Sequence, residues 1–373
     1  MSPTSNRRPL TFLNRDSPRG DVYRIGMLVP FQGPAGIFGP SCVAVAEQAK
    51  IELNATSGIG GREIELVYID GGRDPDTITR EVAALVQGGG IDAITGWHIS
   101  SIRKKLVPVL RNRIPYIYTS LSEGDVPNPG VFLAGEDPEQ QIFPALKWLR
   151  EHLGHRSWYV VGASYIWPVK SLEKTTLAAS DLGLKIVGST LVGMGGGGDP
   201  LLPRAVAASG CDAVLMLLVG QDAVEFNRSF TDHGLHKTII RYSPLMEENM
   251  LLASGVDATE NLYCSASYFR TLTSSSALDF LGRYVSINGV TAPPMNNMAQ
   301  SCHQGIYTLA HLARRSRSVR LEDFNRIIDD LEFDSPRGII RFRNNQAIQP
   351  VSIARAEGFD FNVLSTLTPH LEH

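Results

Sequence analysis

The feature that most limits the fold of this chain is a repeated unit, made of a short apolar run, a turn and an amphipathic helical stretch. In the first half, the apolar runs predict strands at 22–30, 64–69, 92–95 and 116–119, with helices over 42–54, 77–87 and 100–113. Strands that alternate with helices favour parallel sheets with helices on both faces. We therefore expect an α/β protein.

The same unit returns in the middle of the chain. Strands are predicted at 158–162, 185–192, 213–219 and 238–242, and helices over 169–182, 201–209 and 223–234. The last third differs, with long helical patterns over 274–287, 298–314 and 321–331, followed by short β-like pieces at 338–342 and 351–356. Two sets of units predict two Rossmann-like, doubly wound lobes, and the late helices indicate that the chain crosses between them more than once.

Composition limits the classes of function. The 373 residues suit two domains, and 43% hydrophobic residues are enough for substantial cores. A net charge of −3 does not favour a nucleic-acid partner. No apolar run approaches the length of a transmembrane helix, so the chain is not expected to span a membrane. The four cysteines form no CxxC pair, and we expect buried thiols with neither a metal site nor a cofactor.

Both ends of the chain differ from the rest. Residues 1–20 are basic and contain several prolines, which predicts a disordered tail, and they lack the apolar run of a secretory signal. This pattern favours a cytoplasmic protein, unless a leader was removed from a periplasmic or other extracytoplasmic one. Residues 367–373 are interpreted as a tail with a tag remnant.

Candidate ligand-binding residues cluster where predicted strands end, because ligands of doubly wound sheets bind beyond the carboxyl ends of the strands. The candidates are His98, Ser100, Ser101, Tyr118, Thr119, Ser120, Tyr165, Trp167, Gln221, Asp222 and Glu247. Each also has a purely structural explanation, such as helix capping for Ser100 or a solvated helix face for Glu247. Their shared position predicts a cleft of hydroxyls, aromatic rings and one or two acids.

Signatures of enzymes are missing from the sequence. It has no GxSxG elbow, Walker loop or HExxH pair, and no GxGxxG follows the first strand. The four glycines at 195–198 lack a following Lys-Ser/Thr and are interpreted as a flexible surface loop. Nothing in the spacing requires a hydrolytic triad of His98, Ser100 and a distant Asp. We therefore expect no catalytic residues.

Several stretches together resemble the leucine/isoleucine/valine-type solute-binding proteins of bacterial transporters. Residues 52–64 (ELNATSGIGGREI) are similar to the family's first helix, which ends in Asn before a glycine-rich turn and the second strand. Residues 70–76 (DGGRDPD) resemble its acidic loop, 333–338 (FDSPRG) its late turn, and 344–346 (NNQ) the polar hairpin after that turn. The resemblance extends from about Tyr23 to about Ala356.

Within this family, residues 98–104, 118–120 and 165–168 look similar to the short-chain amide receptor that regulates the aliphatic amidase operon, and to urea-type transporter receptors. This likeness implies that the best ligand contacts are Ser100, Tyr118, Ser120 and Tyr165. His98 and Trp167 stand where the amide receptor has Tyr, which leaves the identity of the ligand open.

The branched-chain amino acid receptors of the family use an acid from the second lobe to bind the ligand's ammonium group. Glu247 is a possible counterpart of that acid, and Asp222 is a weaker candidate.

The resemblance also implies the type I periplasmic-binding-protein fold, with two lobes joined by three crossovers and the ligand in the gap. The crossovers are expected near 136–140, 269–273 and 344–346. The first lobe would take 21–137 plus 270–343, and the second 138–269 plus 344–366. A ligand that touches both lobes would favour their closure by a hinge movement.

Three functions follow as alternatives. The first is the substrate-binding component of an ABC transporter, with a permease as partner. The second is a sensor of amides that controls a catabolic operon through a regulatory protein. The third is an enzyme of unknown type that acts on a small amide. For the first two, the expected ligand is a short-chain amide, urea, or a branched-chain or polar amino acid.

Overall fold

The structure is a computed structural model that describes residues 20–124 and 128–367. Of the tails predicted at 1–20 and 367–373, all but Gly20 and Leu367 lie outside the described residues. Leu367 is the last residue of a strand.

Two sheets organise the chain. The first lobe begins with the strands β1 (Val22–Val29), β2 (Glu63–Asp70), β3 (Ala93–Gly96), β4 (Tyr116–Tyr118) and β5 (Val131–Leu133), which alternate with the helices α1 (Gly39–Asn54), α2 (Pro75–Gln87) and α3 (Ser100–Leu110). The second lobe contains α4 (Ile142–Leu153), β6 (Ser157–Ala163), α5 (Ile166–Ala178), β7 (Lys185–Val192), α6 (Leu201–Ser209), β8 (Ala213–Leu217), α7 (Gln221–Asp232), β9 (Ile240–Ser243), α8 (Glu248–Ser254) and β10 (Leu262–Ala266).

The chain then returns to each lobe once more. To the first lobe it adds α9 (Ser275–Asn288), α10 (Asn297–Ser316), α11 (Leu321–Ile327), β11 (Glu332–Ser335), β12 (Gly338–Arg343) and β13 (Gln346–Ile348). To the second sheet it adds β14 (Val351–Glu357) and β15 (Asp360–Leu367). Short 3₁₀ helices, such as Pro34–Phe38 before α1, complete the described elements.

The parallel strands of the two sheets follow the same order. The sequence β2-β1-β3-β4-β5 in one corresponds to β7-β6-β8-β9-β10 in the other, and the late strands extend one edge of each sheet. Helices cover both faces, and the central β8 is buried at every residue, as its apolar run predicts. The prediction of two doubly wound α/β lobes is therefore confirmed.

Three segments connect the lobes, at 134–141, 267–274 and 349–350. The third lies after the position expected from the sequence, because Asn344 and Asn345 form a tight turn with φ of 53° and 60° that leads into β13 of the first sheet. Two buried or half-buried ion pairs, Arg337 with Glu136 and Arg270 with Asp360, lie at these connections.

Local signals explain where individual helices begin. Asp74 caps α2 by accepting a hydrogen bond from the Thr77 amide at 2.9 Å, and Asn296 caps α10 through the Ala299 amide at 2.8 Å. Every helix within 20–124 and 128–367 is too short or too polar to cross a membrane. All four cysteines are buried and unpaired.

Candidate functional site

The first turns of α3 and α5 meet across the gap between the lobes. The backbone N–H of Trp167 in the second lobe donates to the Ser100 hydroxyl of the first at 3.1 Å. The residue before α3 is Ile99, whose side chain cannot cap a helix, and no acceptor in the described part of the chain binds the amide hydrogens of Ser100 and Ser101. These free N–H groups at a helix N-terminus can bind a carbonyl or carboxylate oxygen.

Further contacts show that the lobes are closed on each other. The Asn249 side chain donates to the Ile37 carbonyl at 2.8 Å. Gly220, which precedes α7, lies so close to the backbone of Pro34 that an added Cβ would come within 2.1 Å of the Pro34 oxygen. The closed arrangement thus depends on a glycine at this position.

Tyr165 and Trp167 supply aromatic groups from the second lobe. Tyr165 is half-buried at the start of α5. Burial raises the pKa of its hydroxyl well above the usual range, and the nearby Tyr118, Glu123 and Asp222 raise it further. The Trp167 ring is buried, and its indole N–H has no acceptor among the described residues. A neutral phenol hydroxyl and an indole N–H are therefore available to a polar ligand.

The hydroxyls of Tyr118, Thr119 and Ser120 are already bonded within the first lobe. The Ser120 hydroxyl accepts from the His98 amide at 2.9 Å and donates to the His98 carbonyl at 2.7 Å. Tyr118 donates to the same carbonyl at 3.2 Å, and Thr119 accepts from Ser301 at 3.2 Å. These hydroxyls shape the loop that leads to α3.

His98 packs into the first lobe. Its ring is buried, stacks on Tyr116 with 5.9 Å between ring centroids, and lies 2.6 Å from the Tyr116 hydroxyl through Nε2. Burial lowers the pKa of His98 to about 3, so the imidazole is neutral at physiological pH. The position of the His98 ring is therefore explained by a structural role, that of a buried and hydrogen-bonded histidine.

Asp222 is occupied by its own lobe. Its carboxylate accepts from the amides of Gly195 at 3.0 Å and Gly197 at 3.2 Å. The glycine run lies at the surface at Gly195 and Gly198, as expected of a surface loop, but it is held at two amides, and Gly197 is buried. The neighbouring Gln221 donates to Glu225 at 3.3 Å.

Glu247 joins the two lobes and is not on a solvated helix face. Its carboxylate is buried and accepts from the Asn297 amide, at the start of α10 in the first lobe, at 2.8 Å. Burial and the charge of Glu248 raise the pKa of Glu247 well above its usual range. The other carboxylate oxygen has no partner among the described residues.

Sequence reasoning missed a buried ion pair beside the gap. Arg103 on α3 bonds Glu123, and the guanidinium lies 5.0 Å from the centre of the Tyr118 ring. Glu123 is fully buried, and its Oε1 has no partner among the described residues. The signal that could have identified it is an acid five residues beyond the last residue of β4, next to Gly124.

Comparisons with known proteins agree with the two-lobed fold. Residues 22–360 match the family model described as periplasmic binding protein. Among solved structures, a solute-binding protein of an ABC transporter from R. palustris in complex with benzoate is similar, with a TM-score of 0.84 and 18% identity, covering 93% of this chain and 97% of that one. LivJ, a branched-chain amino acid transporter substrate-binding protein from Streptococcus pneumoniae in complex with isoleucine, gives 0.81 and 15%, covering 93% and 99%. The leucine-binding protein LivK from Thermotoga maritima gives 0.80 and 18%, with the same coverage.

Proposed function

This chain belongs to the periplasmic binding protein family, and from that premise we propose that it is a non-enzymatic solute-binding protein that closes its lobes on one small polar molecule. The observation that carries the proposal is the meeting of α3 and α5 through Ser100 and Trp167, beside amide hydrogens that no described residue accepts. A ligand oxygen bound there would contact both lobes and so favour the closed state.

The free groups around this point suggest the chemistry of the ligand. The amides of Ser100 and Ser101 and the Trp167 indole are donors that suit a carbonyl oxygen. The unpartnered Oε1 of Glu123 is an acceptor that suits an N–H group. A molecule that carries both a carbonyl and N–H hydrogens satisfies both sets.

Charge favours an uncharged amide or urea over an amino acid. Asp222 and Glu247 are the acids expected to bind an ammonium group, and both already accept backbone hydrogen bonds. Glu123 is paired with Arg103, so its negative charge is compensated. A full ammonium charge would therefore lose its hydration where each of these carboxylates is already partly committed to other groups.

A branched-chain or polar amino acid is the second candidate, supported by the unpartnered second oxygen of the Glu247 carboxylate. Two alternatives are proposed for the physiological role. The protein is either the substrate-binding component of an ABC transporter or an amide sensor that acts through a regulatory protein. Genes for a permease and an ATPase beside this gene would support the first, and an amidase or regulator gene the second.

The test is isothermal titration of protein that has been unfolded and refolded to remove any bound ligand. The panel contains acetamide, butyramide, urea, leucine, valine, glutamate and benzoate. We expect saturable binding of an amide or urea, with leucine and benzoate much weaker, and recovery of the ligand unchanged. Tight binding of leucine alone would move the site to the amino acid class, and conversion of an amide to its acid would contradict a non-enzymatic role.

A pair of variants locates the site. Tyr165→Phe removes only a hydroxyl whose pKa is raised by burial and by Tyr118 and Glu123 of the first lobe, and it should weaken binding of the ligand found. Tyr263→Phe is the matched control, because Tyr263 lies on β10 in the same lobe and pairs with β9 and β14. Equal affinities for the two variants would contradict the placement of the ligand beside Tyr165.

A further inference from the structure

A second cavity lies in the first lobe, far from the gap. Its volume is about 580 Å³, and it is bounded by the last turn of α1, the loop after it and the second half of α10. The first turns of these helices face the gap, since α1 begins just after Ile37, whose carbonyl accepts from Asn249 of the second lobe, and α10 begins at the residue that binds Glu247. The 20 residues of α10 make a helix about 30 Å long, at 1.5 Å per residue. The gap and the cavity lie towards opposite ends of this helix, so most of its length separates them.

A tight turn forms one wall of the cavity. Ile59 and Arg62 exchange backbone hydrogen bonds at 3.0 and 3.1 Å, so Gly60 and Gly61 are the two residues of a hairpin loop, with φ of 61° and 78°. Gly60 packs against Val319, and an added Cβ would meet that side chain at 2.5 Å. The amides of Gly60 and Gly61 have no acceptor among the described residues.

The charged side chains that line the cavity are both cationic. Arg314 and Arg317 line it, no acid does, and neither arginine forms an ion pair with a described residue. Two arginines further along the chain are paired, Arg320 with Glu322 at 3.3 Å and Arg326 with Asp323 at 2.8 Å. The dipole of α10 favours positive charge at its C-terminal turn. The guanidinium N–H groups of Arg314 and Arg317 nevertheless remain available as hydrogen-bond donors.

The floor of the cavity is apolar. Leu53, Ala310, Ala313 and Val319 line it together with the ring of His311, which stacks on Phe333 with 4.1 Å between centroids. A volume of this size accommodates a small organic molecule. Two arginines at the rim of an apolar cavity favour a molecule with an anionic group on a hydrophobic body.

We propose that this cavity is a second binding site, separate from the gap, for a small amphipathic anion such as an organic carboxylate, sulfonate or phosphate. The anionic group binds between Arg314 and Arg317, with the amides of Gly60 and Gly61 as further donors. The hydrophobic body covers Leu53, Ala310, Ala313 and Val319. The site therefore selects for the charge at one end of the ligand and for apolar surface at the other.

A matched pair of fluorescent probes tests this proposal with the full chain. The first is 1-anilinonaphthalene-8-sulfonate, and the second is N-phenyl-1-naphthylamine, which has the same aromatic body without the sulfonate. We expect one saturable site for the sulfonate probe, with an affinity about tenfold or more above that of the neutral probe, because hydrogen bonds to a charged group are the strong ones. Added salt should reduce the difference.

Variants assign the site to this cavity. Arg314→Ala combined with Arg317→Ala should bring the two probes to similar affinity, and because both side chains are exposed the fold should persist, as circular dichroism would show. Arg320→Ala is the control, since its exposed side chain lies outside the cavity. Absence of a saturable site, or a preference for the sulfonate that survives the double variant, would overturn the proposal. Titration of amides with the same variants reports on the gap separately.

Discussion

Replacement of Gly220 by alanine tests whether ligand binding requires the closed arrangement. Gly220 belongs to the second lobe, and the carbonyl of Pro34 that faces it belongs to the first. An alanine Cβ would lie 2.1 Å from that oxygen, whereas real Cβ atoms do not approach below 3.0 Å. The lobes of the variant must therefore stay apart locally by at least the difference, 0.9 Å.

The size of the effect follows from separating two contributions. Gly220 has φ 54° and ψ −121°, a region that costs a residue with a side chain about 1–3 kcal/mol, but this strain exists in the open and closed states alike. The clash exists only when the lobes close, and forced overpacking of this kind costs about 1–3 kcal/mol. Ligand affinity should thus fall by about 5- to 150-fold.

The assay is isothermal titration of Gly220→Ala, with its melting temperature measured without ligand. The control is Gly234→Ala in the same lobe, because Gly234 also has a positive φ, 71°, and has open space around its Cβ position. We expect both variants to melt earlier than the wild type, while only Gly220→Ala loses affinity. Wild-type affinity in Gly220→Ala would refute the reasoning that binding requires this contact between the lobes.

Three further predictions follow from individual contacts. Ser100→Ala removes the hydrogen bond to the Trp167 amide and should weaken ligand binding by about 5- to 10-fold in calorimetry, because a buried N–H loses its partner. Ser101→Ala is the control and should change the affinity less, because the Ser101 hydroxyl makes no bond to a described residue. Burial raises the pKa of Glu248 from 4.5 to about 7, so this group's contribution to stability is present below pH 4.5 and is lost as the pH rises through about 7. Glu248→Gln should remove up to about 3 kcal/mol of this pH dependence in denaturant unfolding, and an unchanged profile would contradict it. Asp222→Ala should speed amide exchange at 195–198 by freeing the Gly195 and Gly197 amides, and wild-type protection there would contradict that role.

The sequence predicted the wound architecture because its signals are local. The apolar run of β8 and the cap at Asp74 each lie within a few residues, and the structure has both. The short strand β5 and the helix α4 were among the elements that were missed, as were α8, β10, β11, β13 and β15. β5 has only three residues, but α4 has buried residues at 142, 145, 146 and 149, a helical spacing that is present in the sequence.

The site was less predictable because its hydrogen bonds join distant residues. Ser100 was singled out from its position at a helix start, but its partner Trp167 is 67 residues away. The roles of Asp222 and Glu247 depend on amides at 195, 197 and 297, which no local pattern connects to those acids. For the same reason, no local pattern connects Arg103 to Glu123, which lies 20 residues further along the chain.

The most direct test of whether the lobes close on a ligand is to measure the distance between them by electron spin resonance. Spin labels on cysteines introduced at Lys105 and Glu173 would report across the gap, because both positions are exposed on α3 and α5, which touch there, and the native cysteines are buried. With the panel member that binds most tightly, we predict a shift from a longer, broad distribution to a shorter, narrow one. The same distribution with and without saturating ligand would contradict binding by closure of the lobes.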